Sequence, residues 1–154
     1  MGHLVSQFCN SIANQRAFQI HPGGNKLATL SKKQHAALDR IDALTAGDYI
    51  KLLDANPPTD RQWAMLKFHH ASPKHTATAR ELANGAGYTL PQAATLQYGI
   101  FAGKYCSQLK IAPPNKIALF VTFLKPKLSE CKLIMRPALI KALNMMIQAK
   151  NKGG

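Results

Sequence analysis

Between Thr78 and Leu109 the chain spells two helices joined by a tight turn. Thr78 stands three residues before Glu81, the T-x-x-E spacing in which each side chain satisfies the other's backbone N–H at a helix start. Gly85 or Gly87 then ends that short helix in the left-handed region, where glycine meets no Cβ penalty. Tyr88 and Thr89 make the turn. Pro91 takes the first position of a long helix predicted from Leu90 to about Leu109, where its fixed φ and missing N–H are no handicap. Two helices connected in this way form a helix-turn-helix, and the rest of the chain must be built around that unit.

The flanking segments supply the remaining elements. Ser31 caps a predicted helix with Ala36, Leu38, Ile41 and Leu44 on its apolar side. Thr45, with Asp48 in a capping-box place, opens a second helix to Ala55, which Asn56-Pro57-Pro58 ends. Thr59 and Asp60 open a third, Arg61 to His70, anchored by Trp63, Met65, Leu66 and Phe68 and stopped at Ser72-Pro73. The stretch 75–78 is a candidate short strand. After Pro113-Pro114, residues 116–123 and 131–136 are β-branched and aromatic enough to pair as a hairpin across the polar bend KPKLSE. Pro137 starts a last helix, Ala138 to Ala149. Helix, helix, strand, helix, turn, helix, hairpin is the order of a winged helix. The expectation is a mainly α, winged helix-turn-helix-like single domain over 31–149, with a partly flexible appendage at 1–30 and a tail at 150–154. The competing packing is a mixed α+β domain in which the hairpin covers a helical bundle and no helix reads a groove.

Charge directs the functional reading. Twenty Lys and Arg face seven Asp and Glu, a formal net charge of +13, and a field of that sign captures polyanions. Five of the acids (Asp39, Asp42, Asp48, Asp54, Asp60) lie between 39 and 60, and only Glu81 and Glu130 follow. The partner expected is nucleic acid, double-stranded DNA in particular, with no membrane and no catalysis. Thr89, Gln92, Thr95 and Gln97 are the polar groups at the start of the long helix, where Gln pairs with adenine and Thr with base edges or the thymine methyl. Lys74, His75 and Arg80 flank the short helix, and Lys104 lies farther along the long one. Lys116, Lys125, Lys127 and Lys132 belong to the hairpin region, for phosphate contact. The bland reading of such hairpin lysines is protection of a strand edge from aggregation. Tyr98, Phe101 and Tyr105 recur near helical spacing, as core residues do.

No metal, cofactor or nucleophile is signalled. His70 and His75 have zinc-finger spacing but no cysteine pair upstream. Cys9, Cys106 and Cys131 are too widely spaced for a ribbon or a disulfide framework, which favours a reducing compartment and a cytoplasmic protein. No apolar run reaches the roughly 18 residues of a membrane span.

Three runs carry a resemblance: HHASPKHTATARELANGAGY (69–88), AATLQYGIFAG (93–103) and MRPALIKAL (135–143). Together they resemble the small domain found on the N-terminal side of bacterial HNH-type, modification-dependent restriction endonucleases, over about residues 40–147. The resemblance implies a DNA-associated module; the sequence shows no His-Asn-His cluster, so the module is expected to stand alone. A protein-partner module of the antitoxin, anti-restriction or immunity type, using the same basic face, is the alternative. The oligomeric state is not legible.

Overall fold

A computed structural model of the protein describes residues 30–152. The short helix expected at Val5 to Phe18 and the 1–29 part of the predicted appendage lie outside them. The helices are α1 (Lys32–Asp42), α2 (Ala46–Ala55), α3 (Asp60–Ala71), α4 (Ala79–Ala86), α5 (Pro91–Leu109) and α6 (Pro137–Lys152). The strands are β1 (Thr76–Thr78), β2 (Val121–Leu124) and β3 (Lys132–Met135).

The first four helices begin on one device. Ser31 with Gln34, Thr45 with Asp48, Thr59 with Gln62 and Thr78 with Glu81 each close a reciprocal pair of backbone to side-chain bonds at 2.9–3.2 Å. Such boxes satisfy N–H groups that a helix start leaves orphaned. Gly87 ends α4 at φ 80°, the left-handed conformation expected there.

The three strands form one antiparallel sheet in the order β1-β3-β2, with Ala77 and Phe123 both opposite Leu133. Chain order α3, β1, α4, α5, β2, β3 with β3 central is the winged helix arrangement. Two boundaries differ from the sequence expectation. The strand predicted over 116–123 is preceded by a 3-10 turn at Lys116–Leu119, because the Asn115 side chain accepts from the Ile117 N–H at 2.9 Å and starts a helical turn. Ile117, Ala118 and Leu119 are consecutively buried, unlike a strand with one face in solvent. Helix α6 also continues to Lys152, past the expected start of a tail at 150. Cys131 departs as well: it is disulfide-bonded, a bridge that the wide spacing of the cysteines gave no reason to expect.

One core cluster runs from Ile41 to Leu143. At its centre Tyr98, Phe101 and Tyr105 of α5 pack on Phe120 with ring centroids 5.0–6.0 Å apart, within the favourable range for aromatic pairs. Helices α1 and α2 are tied on by polar bonds that end on backbone carbonyls. Arg40 donates to Leu109 O (2.7 Å), Tyr49 to Leu119 O (2.6 Å) and Tyr105 to Asn56 O (2.6 Å). Arg136, nearly buried, donates to Ala118 O and to the Asp42 carboxylate at 2.6 Å.

His69 of α3 is completely buried. Its Nε2 lies 2.9 Å from Leu133 O, and its Nδ1 lies 2.9 Å from the Tyr98 hydroxyl. A carbonyl only accepts, so Nε2 carries the hydrogen and Nδ1 accepts from Tyr98. Burial pushes the imidazole pKa down to about 4, against the Leu133 bond, which raises it. The unfolded chain takes up a proton near 6.5 that the fold refuses. Stability is therefore full above about pH 6.5 and falls by roughly 3 kcal/mol as the pH drops to about 4. Urea unfolding measured across this window is expected to show that slope, and a His69→Leu variant to lose it. The variant is also expected to be less stable at pH 7.5 by about 2–4 kcal/mol, since Tyr98 and Leu133 lose a buried partner.

Candidate nucleic-acid interface

Helix α5 divides into two faces. Ala94, Tyr98, Phe101, Ala102, Tyr105 and Cys106 are buried. On the other side Leu96 is 61% and Ile100 46% exposed, with Leu90 at 52% just before the helix. The outward face of the expected reading helix is therefore apolar along its middle. Exposed Lys104 lies one turn beyond Ile100.

The polar residues picked out by sequence are placed less favourably. Gln92, Thr95 and Gln97 are each half-buried, and the Thr95 hydroxyl donates to Gln92 O at 3.0 Å, the ordinary back-bond of a helical threonine. Thr89 is exposed in the turn. Leu96 and Ile100, which sequence reasoning passed over, stand farther out than any of these three. The signal was available: residues 96 and 100 lie opposite 94, 98, 101 and 105 on a helical wheel.

Cations gather in separate groups. Lys116 lies along α5 at Gly103, where an added Cβ would stand 3.1 Å from its Cδ and 3.6 Å from its Nζ. That puts the Lys116 ammonium beside the residue preceding Lys104. Lys74 and Lys132 both line a groove of about 760 Å³ across the outer face of the sheet, between Phe68 and Pro73 on one side and Leu124 on another. Glu81 lines the same groove. Arg80 binds Glu130 through Nε (3.1 Å) and Nη2 (3.0 Å), joining the start of α4 to the hairpin loop. Both partners are about half exposed or more, so this pair adds little stability and exchanges readily for another anion. Lys127 is exposed on that loop and Lys125 half-buried.

His75 is half-buried. Its Nδ1–H donates to His70 O at 2.6 Å, and both Lys74 and His75 adopt φ 53°. His70 Nε2 meets Asn144 Oδ1 at 2.7 Å. Among the described residues no group of three His, Cys, Asp or Glu is placed to hold a metal ion. Burial pushes the Cys106 thiol up to about 11, against the pull of Lys116, so it is protonated near neutral pH and a poor nucleophile.

Gly99 sits inside α5, where glycine costs about 0.5–1 kcal/mol relative to alanine, yet a Cβ there would meet nothing within 4 Å. Gly85 differs, because its Cβ would enter the Phe68 ring. Thermal unfolding is expected to show Gly99→Ala more stable by about 0.5–1 kcal/mol and Gly85→Ala less stable.

No protein-family model, curated protein or solved structure matches the chain. Among the described residues no helix is long and apolar enough to cross a membrane.

Proposed function

We propose that the protein is a non-catalytic DNA-binding module that holds duplex DNA chiefly through its phosphates. The observation that carries this is the match between charge and anatomy. Asp39, Asp42, Asp48 and Asp54 sit on α1 and α2, and Asp60 is the first residue of α3. From Arg61 onward, through the whole winged helix, Glu81 and Glu130 are the only carboxylates. Both are engaged, Glu81 in the cap of α4 and Glu130 with Arg80. A phosphate backbone approaching α5 and the hairpin meets lysines with little opposing charge.

Helix α5 adds a second element of support. Lys104 is exposed on its outward side and the Lys116 ammonium lies against it at Gly103, two cations where phosphates would flank a groove. The resemblance to the N-terminal domain of HNH-type restriction endonucleases agrees with this reading and suggests a restriction-related role. A basic module docking an acidic protein is the second reading, favoured by the exposed Leu96 and Ile100.

Titration of a 20-base-pair duplex by fluorescence anisotropy at several salt concentrations tests the proposal. If about six phosphates are neutralised, log K falls with log salt at a slope near −5, so affinity drops about a thousandfold between about 50 and 200 mM. Lys104→Ala and Lys127→Ala are each expected to make the slope shallower by about 1. Binding that ignores salt, or tight binding to an acidic protein with none to duplex, contradicts the proposal.

A further inference from the structure

We infer that Leu96 and Ile100 make the protein favour A·T-rich duplex, by seating on thymine C5-methyl groups in the major groove. This rests on the proposed DNA-binding role and adds what α5 reads there. Two observations lead to it. Leu96 and Ile100, one helical turn apart, are 61% and 46% exposed on the one long helix that a winged helix offers to a groove. The polar side chains able to pair with base edges, Gln92, Thr95 and Gln97, are half-buried beside them, and the Thr95 hydroxyl is already committed.

The surroundings indicate duplex DNA as the occupant of this apolar face. Lys104 lies one turn past Ile100 and the Lys116 ammonium runs against α5 at Gly103, so cations border the face where phosphates would flank a groove. Gly99, beside Ile100, has no packing reason for lacking a side chain and leaves the backbone open to close approach. In the major groove, apolar side chains contact the thymine methyl, while a guanine or cytosine edge offers them only unpaired polar atoms. A face of leucine and isoleucine therefore selects methyl-rich edges by attraction and polar ones by exclusion.

The test is a set of duplexes with identical phosphates: one A·T-rich, the same sequence with deoxyuridine replacing every thymidine, and one G·C-rich, all at about 100 mM salt. Wild-type protein is expected to bind the thymidine duplex more tightly than the deoxyuridine one by about four- to fifteenfold, for one or two methyl groups buried. The double variant Leu96→Ser, Ile100→Ser, whose exposed positions leave the core intact, is expected to bind both equally with the salt slope unchanged. That loss of discrimination separates a methyl contact from any change in duplex stiffness. Equal wild-type affinity for the two duplexes, with salt-dependent binding present, overturns the inference and leaves the DNA-binding proposal standing. Absence of binding to every duplex overturns both. A wild-type dimer that the double variant turns into a monomer shows that a second copy covers the face, and also overturns the inference.

Discussion

His69 fixes the geometry on which everything else depends. It lies on α3, is fully buried, and spans from the Tyr98 hydroxyl of α5 to the backbone carbonyl of Leu133 in the central strand. Three elements distant in sequence are held by one neutral imidazole in one tautomer. Every polar atom in the bridge is buried, so a rotation of α5 about its axis or a slip of β3 would strand a donor or an acceptor away from water. Tyr98, Phe101 and Tyr105 also pack on Phe120, but apolar contact has no direction. The bridge sets which face of α5 points outward, and thus puts Leu96 and Ile100 in solvent.

Helices α1 and α2 have a different part. They attach through Arg40, Tyr49 and the Arg136 to Asp42 pair, reaching carbonyls at the end of α5 and in the 3-10 turn before β2. Four of the seven carboxylates lie on these two helices. The chain thus confines most of its negative charge to an added layer and leaves the winged helix basic. Coulomb interactions between exposed charges fade over about 8–10 Å at ordinary salt, so carboxylates farther than that from the lysines of α5 and the hairpin do little to offset them.

Much of this was legible from the sequence where a local rule controls the outcome. The T-x-x-E box at Thr78, the glycine stop at Gly87, the Pro91 start and the β-branched residues of the hairpin each act within a few residues, and the helix-turn-helix and hairpin follow from them. The 3-10 turn at Lys116–Leu119 was not legible, since KIAL is as apolar as a strand and only the Asn115 cap and burial on all sides decide its form. The His69 bridge was hidden because its partners are 29 and 64 residues away. The candidate interface was read for residue type and missed for orientation: Gln92, Thr95 and Gln97 have the chemistry to read bases, but packing around Tyr98 turns them partly inward. Arg80 was read as a phosphate contact and is paired with Glu130, a contact across 50 residues that no spacing rule foretells.

We propose that one surface, made by the outward side of α5 and the β2–β3 loop, meets DNA while α1 and α2, whose four cations balance their four carboxylates, face away. Titrating isotope-labelled protein with a short duplex and following backbone amide shifts by nuclear magnetic resonance tests this directly. The account predicts that shifts concentrate at residues 89–104 and 125–130, with α1 and α2 unchanged on their exposed sides. Shifts centred on α1 and α2, or spread evenly over the molecule, would contradict it.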